Sequence, residues 1–353
     1  MAQTIEVGNR LGGTQWRLPA VHLAVLLLLL LAAIVISSGI GSVHLSPGTV
    51  LATLANRPQT GEVHAIVMDL RLPRALAAAL VGAALAVAGL LFQGLFRNPL
   101  ADPFVLGSSG GAALGGAVAV LWLPSLSLAG FSATALLAFL GSVGAIAIVY
   151  ALASSGRRTS VSGMLLAGFA VATMLNAMTS GLVVWRETAS MGAAQILAAW
   201  LHGQISVPTW SQLAIVACLS VAGMAATVPL SGRLNTLALG EDYARQLGLN
   251  LERTRIAIVL TASLLTSLSV SLGGIISFVG LLVPHLARLV LGPDHVRLLP
   301  VCMLTGALFL VIADTFARSI RAPYELPVGM LTAFVGGPAF LYLLRRHRRE
   351  VYL

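Results

Sequence analysis

Two arginines lie three residues apart in the sequence RLPR, at the start of a long apolar run. At this spacing Arg71 and Arg74 would share one face of a helix. A planar guanidinium can bind a carboxylate through two parallel hydrogen bonds, so the pair predicts a docking point for an acidic partner. Lipid headgroups are an equally open alternative, because long basic side chains reach toward them. Arg318 and Arg321 could extend this basic surface, and Asp314 and Glu325 could equally neutralise them.

The sequence RNPLADP, residues 97–103, contains two prolines within five residues. Such a pair ends a helix and forces an extended turn. The helix from Arg74 to Asn98 would be roughly 36 Å long, so this turn would emerge on the opposite side of a bilayer. A turn beside a pore could close it with the side chains of Asn98 and Leu100, although a plain connection between helices remains the simpler interpretation.

Polar residues recur at helical spacing within one otherwise apolar run: Thr173, Asn176 and Ser180. Polar side chains at membrane depth face protein or water rather than lipid. The stripe therefore predicts either the wall of a solute pathway, with Met174 and Met178 as an adaptable apolar part of it, or hydrogen bonding to another helix.

The sequence LALGEDYARQLGLN, residues 237–250, is too polar and too short to enter a bilayer. Gly240 and Gly248 bracket a short predicted helix, whose charged residues are Glu241, Asp242 and Arg245. Acidic residues at the start and a basic residue near the end suit the helix dipole. The segment is either a solvated surface helix or a lever that binds a cytoplasmic partner.

The residue types exclude several chemistries. Every basic residue other than histidine is arginine, so the chain lacks the lysine that a GxxxxGK[ST] phosphate-binding loop requires, and any ATP must be bound by another chain. No CxxC or HExxH pattern is present, which argues against an enzyme, a metal site or a resident cofactor. The net charge of +9 is better explained by arginines facing anionic lipid than by nucleic acid.

These residues require membrane-spanning elements to position them. The chain is 58% hydrophobic and only 9% charged, and a soluble protein has about 25% charged residues. A spanning helix needs roughly 20 apolar residues. Ten runs come close to this length and predict a single all-α transmembrane domain over residues 1–353: 18–40, 73–96, 104–123, 129–153, 162–184, 207–230, 254–273, 276–292, 298–317 and 327–344.

The distribution of arginine predicts the orientation, because cytoplasmic loops are enriched in basic residues. Most arginines fall on one side when the ten runs are threaded alternately through the membrane. Both termini are then cytoplasmic, with an N-terminal segment at 1–17, a coupling segment at 231–255 and a tail at 345–353. The sequence also predicts a weak inverted repeat that pairs Gly89 with Gly274 and Pro99 with Pro284, and such repeats are typical of transporters.

Taken together, these stretches resemble the FecCD-type permeases of ABC importers for cobalamin, ferric siderophores and haem. The resemblance extends from about residue 63 to the C-terminus. Its matching stretches are RLPRALAAALVGAALAVAGLLFQGLFRNPLADPFVLGSSGGAALGG, LALGEDYARQLGLN, GGIISFVGLLVPHLARLVLGPDH, ADxxAR, ELPVG and GGPAF. The resemblance implies a type II importer in the bacterial inner membrane. Its implied partners are a second copy of the chain, two cytoplasmic ATPase subunits that bind the ATP, and a periplasmic binding protein.

The resemblance also implies roles for individual residues. Arg71, Arg74 and Arg318 would receive acidic residues of the binding protein. The cytoplasmic gate would comprise Asn98, Leu100, Ser160, Val161 and Ser162. The ATPase would be contacted by Glu241, Asp242, Arg245 and Gly248.

Haem and ferric siderophores are the leading expected cargoes, and cobalamin is the alternative within the same family. An ion-coupled secondary transporter is a more distant alternative, because it usually needs an acidic group within the membrane. Asp314, near the end of its run, and Asp69, outside the second run, are poor candidates for that group. A membrane-embedded enzyme is disfavoured because no catalytic constellation is present.

Overall fold

The computed structural model describes residues 20–41, 43–57, 60–128, 130–155, 158–186, 191–321 and 324–350, and these are mostly helical. The helices are α1 (Ala20–Gly39), α2 (Pro47–Leu54), α3 (Gly61–Ala65), α4 (Leu72–Phe96), α5 (Ser108–Trp122), α6 (Ala133–Ala153), α7 (Val161–Arg186), α8 (Met191–Leu201), α9 (Trp210–Ala238), α10 (Glu241–Gln246), α11 (Leu251–Gly273), α12 (Val279–Leu291), α13 (His295–Ser319) and α14 (Val328–Glu350). A π-helical turn, Ile66–Arg71, joins α3 to α4.

Two short antiparallel hairpins cap the ends of α6. Strand β1 (Ser127–Leu128) pairs with β2 (Phe131–Ser132) before this helix, and β3 (Ser154–Ser155) pairs with β4 (Arg158–Thr159) after it. Ser132 also caps the helix N-terminus by accepting a hydrogen bond from the backbone N–H of Ala135. The hairpins therefore turn the chain sharply between consecutive long helices.

Seven of the described helices are long and apolar enough to cross a membrane: Ala20–Gly39, Gly61–Phe96, Ala133–Ala153, Val161–Trp185, Trp210–Ala238, Leu251–Gly273 and His295–Ser319. This confirms the prediction of a polytopic all-α membrane protein. The other three predicted runs coincide with shorter apolar helices, Ser108–Trp122, Val279–Leu291 and Val328–Tyr342. That these three also cross the membrane stays a prediction.

Helix α4 lies at the centre of the fold and is buried along nearly its whole length. It packs against α1, α9, α11, α12 and α13. Small residues allow this close packing: a Cβ on Gly82 would lie 2.2 Å from the carbonyl oxygen of Gly306, and a Cβ on Gly89 would lie 1.8 Å from that of Gly280. Close approach through small residues is typical of helices packed within membranes.

Several boundaries differ from those predicted. Helix α9 continues through Pro229 to Ala238, so the predicted coupling segment 231–255 contains the end of α9, all of α10 and the start of α11. Helix α14 continues to Glu350, so most of the predicted tail 345–353 is helical. The predicted segment 1–17 and residues 351–353 lie outside the described residues.

The predicted alignment of an inverted repeat is wrong in its register. Gly89 lies inside α4, whereas Gly274 follows the end of α11. Pro99 lies in a turn, whereas Pro284 lies inside α12. Identities in a chain rich in alanine, leucine and glycine arise easily by chance, and these pairs are not structurally equivalent. What does recur is a long helix followed by a short one, in α4 with α5 and in α11 with α12.

Candidate functional site

Five charged residues meet where the start of α4, the end of α13 and the segment before α14 come together. We call this group the arginine cluster: Arg71, Arg74, Asp314, Arg318 and Glu325. Each of the three arginines is less than one-tenth exposed. A buried charge is stable only when it is paired and hydrogen-bonded, so the partners of each arginine decide what the cluster can do.

Arg74 is held between two carboxylates. Its Nη2 lies 3.0 Å from Oδ1 of Asp314, and its Nη1 lies 2.6 Å from Oε2 of Glu325. Its Nε also donates to Oδ1 of Asp314. The two carboxylates differ in environment, because the side chain of Asp314 is 1% exposed and that of Glu325 is 39% exposed.

Arg318 shares Asp314 with Arg74. Its Nε donates to Oδ2 of Asp314 at 3.0 Å, one helical turn earlier in α13. Its Nη2 donates to the hydroxyl of Ser37 at the end of α1. Asp314 therefore binds one arginine with each of its carboxylate oxygens and joins α4 to α13.

Arg71 bonds to main-chain carbonyls instead of carboxylates. Its guanidinium donates to the carbonyl oxygens of Ser38, Gly39 and Val43 at 3.2, 3.0 and 2.6 Å. The first two of these lie at the C-terminus of α1, where unpaired carbonyls favour a cation. Among the described residues no carboxylate forms an ion pair with Arg71. With three arginines and two carboxylates, the cluster carries a net positive charge.

The structure thus brings Arg71, Arg74 and Arg318 together, as the docking prediction requires, but each is already bonded within the chain. Neutralisation of Arg318 by Asp314 was one of the predicted alternatives, and the geometry agrees with it. The pairing of Arg74 with both carboxylates was not predicted. Docking of an external partner on these residues stays a prediction.

The predicted gate turn begins directly after α4, where the two prolines end the helix as expected. Arg97 adopts a left-handed conformation with φ of 48°. The side-chain oxygen of Asn98 accepts a hydrogen bond from the backbone N–H of Leu100 at 2.9 Å, which makes the turn compact. Asn98 and Leu100 are both exposed, as a pore-closing turn would require. Their role as a gate stays a prediction.

Asp102 is a further candidate functional residue, which the sequence analysis did not identify. Its Oδ1 accepts a hydrogen bond from the backbone N–H of Phe104 at 2.9 Å, and its carboxylate also accepts one from the backbone of Phe278. Phe278 precedes α12 and has a positive φ of 70°. Asp102 therefore ties the predicted gate turn to the break between α11 and α12. Burial raises the pKa of this carboxyl to about 6.

The second predicted gate element lies at the start of α7. The hydroxyl of Ser160 accepts a hydrogen bond from the backbone N–H of Gly163 at 3.1 Å and so caps this helix. Val161 is half-buried, and Ser162 is exposed. No hydrogen bond joins this element to Asn98 or Leu100 among the described residues. Helix α7 does pack closely against the chain that follows the gate turn, because a Cβ on Gly168 would lie 2.3 Å from the carbonyl oxygen of Val105.

The polar stripe of α7 faces away from the rest of the chain. Thr173, Asn176 and Ser180 are all exposed, as are Met174 and Met178 beside them. The hydroxyl of Thr173 donates to the carbonyl of Phe169 in its own helix. Bonding to a different helix, the alternative interpretation, is not found for these three residues in the described part of the chain. An exposed asparagine on a spanning helix needs protein or water opposite it.

Helix α10 is short and projects between α9 and α11. It is flanked by Gly240 and Gly248, which have positive φ values of 121° and 81°. Ala244 is fully buried, and Glu241 pairs with Arg255 of α11 at 2.5 Å, so the helix is fixed to the fold.

The outer face of α10 is available to a partner. Arg245 forms longer contacts to Glu241 and Asp242 along this face. Tyr243 on this helix and Leu247 at its C-cap are each about two-thirds exposed. A rigid mount with exposed aromatic and aliphatic side chains is suited to binding another protein.

The described residues contain no group of three or more His, Cys, Asp or Glu side chains that could hold a metal ion. The two cysteines differ in solvent exposure: Cys302 in α13 is buried, whereas Cys218 on α9 is exposed.

Comparison with known proteins gives a consistent result over most of the chain. The FecCD transport family matches residues 28–346. The cobalamin import system permease protein BtuC of Halobacterium salinarum is 44% identical over 288 residues, which cover 82% of this chain and 75% of that protein. The hemin transport system permease protein HmuU of Yersinia pestis is 36% identical over 333 residues, covering 94% and 97% of the two chains.

The name of a third relative specifies a different cargo, ferric dicitrate. The Fe(3+) dicitrate transport system permease protein FecD of Escherichia coli is 40% identical over 82% of this chain and 88% of that protein. The fold also matches a solved structure described as an inward-facing conformation of a metal-chelate type ABC transporter. That match has a TM-score of 0.81 and 32% identity, and it covers 93% of this chain and 99% of the other.

Proposed function

This chain belongs to the FecCD transport family, and from that premise we propose that it is the permease subunit of an ATP-driven importer that moves haem or a ferric siderophore into the cytoplasm. The observation that carries the proposal is the length of the similarity. Permeases of ABC importers for haem, ferric citrate and cobalamin each align with at least four-fifths of the chain. Cobalamin is the alternative cargo within the same family.

The working unit of this proposal is a homodimer of ten-span subunits in the cytoplasmic membrane, with both termini cytoplasmic. Seven long apolar helices and three shorter ones supply the ten crossings. The exposed stripe of Thr173, Asn176 and Ser180 supports a second copy, because a polar stripe on the surface of one subunit can line a pathway between two. A pathway with few polar groups lets a large solute pass without tight binding.

The energy for transport comes from two separate ATPase subunits. The chain has no lysine for a phosphate-binding loop, and ATP is bound by those partners. Helix α10 is their contact site, with Glu241, Asp242 and Arg245 on its surface and Gly248 at its end. When ATP closes the motor, α10 moves with it and shifts the population between outward-open and inward-open pathways.

Cargo is delivered by a periplasmic binding protein whose acidic residues dock on the arginine cluster. Two features support this: the cluster has more guanidinium groups than carboxylates, and it lies at the opposite end of α4 from the gate turn. The gate comprises Asn98 and Leu100 from the turn after α4, and Ser160, Val161 and Ser162 from the start of α7. Asp102 positions the first of these two elements.

Uptake into liposomes tests the proposal. The chain is reconstituted with candidate ATPase and binding proteins, and haem, a ferric hydroxamate, ferric citrate and cobalamin are offered in turn. We expect haem or a ferric siderophore to accumulate only when ATP and both partners are present. Accumulation of cobalamin alone would select the alternative cargo. Uptake driven by a proton gradient without ATP would favour a secondary transporter and contradict the proposal.

A further inference from the structure

Glu325 is the one member of the arginine cluster that combines an ion pair to a buried arginine with substantial exposure to solvent. Its Oε2 lies 2.6 Å from Nη1 of Arg74, yet 39% of the Glu325 side chain remains exposed. The Arg74 side chain is only 8% exposed. Glu325 therefore lies between this guanidinium and the solvent.

Asp314, the other carboxylate of the cluster, has a structural role. Asp314 is 1% exposed and binds Arg74 and Arg318 with separate oxygens. Its removal would leave two buried guanidinium groups without their shared partner. If Glu325 moved away, Arg74 would keep both of its hydrogen bonds to Asp314. The contact with Glu325 is thus the one that can open without leaving Arg74 unpaired.

Glu325 also comes from a segment outside the helices. It lies between α13 and α14, and the neighbouring backbone N–H of Leu326 donates to the carbonyl of Ala317. An exposed carboxylate on a connecting segment loses little when water replaces its partner, because partly exposed ion pairs contribute little net stability.

We propose that Glu325 is an intramolecular plug on Arg74, and that a carboxylate of the incoming binding protein takes its place during docking. The exchange replaces one carboxylate with another on the same guanidinium, so the buried charge is never left unpaired. This inference rests on the proposed docking function. It explains how a buried arginine can bind an external partner. Glu325 then competes with that partner for the guanidinium of Arg74.

Chemical modification of Arg74 tests the plug without any partner. Purified permease is treated with phenylglyoxal, which reacts with accessible arginines, and modification of Arg74 is followed by mass spectrometry. We expect Glu325→Gln to raise the rate of modification severalfold over the wild type. If Arg74 reacts no faster in Glu325→Gln, Glu325 does not shield it and the proposal is overturned.

A matched control separates shielding from net charge. Asp69 is exposed near the same end of the helix and forms no ion pair among the described residues, so Asp69→Asn changes the charge equally and leaves Glu325 in place. We expect no change in Arg74 modification, and an increase as large as that of Glu325→Gln would overturn the proposal. Should Glu325→Gln fold poorly, Glu325→Asp shortens the side chain while keeping its charge, and it should give an intermediate rate.

The affinity of the permease for the binding protein provides a second test of the proposal. The probe is the binding protein that supports uptake in the liposome assay, and its dissociation constant for the permease is measured in detergent. We expect Glu325→Gln to lower this constant by up to about fivefold, since a partly exposed ion pair no longer has to open, while Asp69→Asn has a smaller effect. Unchanged or weaker binding by Glu325→Gln contradicts the plug but leaves the proposed function intact, whereas failure of the wild type to bind contradicts the docking function itself.

Discussion

At the scale of single residues, the most consequential feature is a carboxylate shared by two buried arginines. Asp314 lies 240 positions from Arg74 in the chain, so no local pattern in the sequence could reveal the pairing. The sequence did single out Arg71 and Arg74, because they lie three residues apart at the start of an apolar run, but it could not distinguish a free guanidinium from a bonded one. That distinction depends on tertiary packing alone.

Replacement of Asp314 by asparagine should destabilise the permease strongly. The change leaves Arg318 without a carboxylate and Arg74 with only Glu325, and removal of one partner from a buried ion pair costs about 3–5 kcal/mol. The thermal unfolding midpoint of the detergent-purified protein measures this. Asp242→Asn is the matched control, because the side chain of Asp242 is 91% exposed. Equal midpoints for the two variants would show that Asp314 is not a structural anchor.

Asp102 should make stability depend on pH. Its pKa is raised to about 6 in the folded protein from an ordinary value near 3.8, so the folded state binds this proton more tightly than the unfolded state. Its contribution is therefore fully present below about pH 4 and is lost as the pH rises through 6. We expect Asp102→Asn to unfold at a higher temperature than the wild type at pH 7. The difference should vanish near pH 4, and a difference that does not change with pH would contradict the assignment.

At the scale of elements, hydropathy predicted the positions of the long helices well, because a bilayer requires a minimum apolar length. It failed at helix ends that extend beyond the apolar part. The end predicted for α9 was residue 230, near Pro229, yet the helix continues to Ala238. A proline does not always end a helix when neighbouring elements support the backbone. The tie from Asp102 to Phe278 was also missed, since it joins two turns that only the fold brings together.

Helix α10 provides the test at this scale. Tyr243→Ala combined with Leu247→Ala removes one large exposed apolar side chain from the helix and one from its C-cap. We expect the amount of ATPase subunit that copurifies with the permease to fall at least about tenfold, as is typical when anchor residues of an interface are truncated. The unfolding midpoint of the permease alone should not change, because Ala244 and the Glu241 ion pair still hold the helix.

A matched control uses an exposed apolar residue in another part of the fold. Val184 near the end of α7, opposite the predicted gate element at the start of that helix, is 69% exposed, and Val184→Ala should leave copurification unchanged. Full retention of the ATPase by the α10 double variant would show that this helix is not the coupling element.

At the scale of the whole molecule, the structure consists of a central buried helix, α4, with a charged cluster near one end and a compact turn at the other. Between Arg74 and Phe96 the helix is roughly 33 Å long, which matches the thickness of the hydrocarbon core. The proposed roles follow from this separation: delivery of cargo at one end, a gate at the other, and an external motor bound near the gate.

Sidedness is the most direct test of this account. Single cysteines are introduced as Arg321→Cys beside the arginine cluster and as Asp242→Cys on α10, in a background with Cys218→Ala. Intact right-side-out vesicles are then treated with a membrane-impermeant maleimide. The account predicts that the cysteine at 321 is labelled at once and that the cysteine at 242 is labelled only after the vesicles are opened. Labelling of both positions in intact vesicles would contradict the account, because donor and motor would then face the same side.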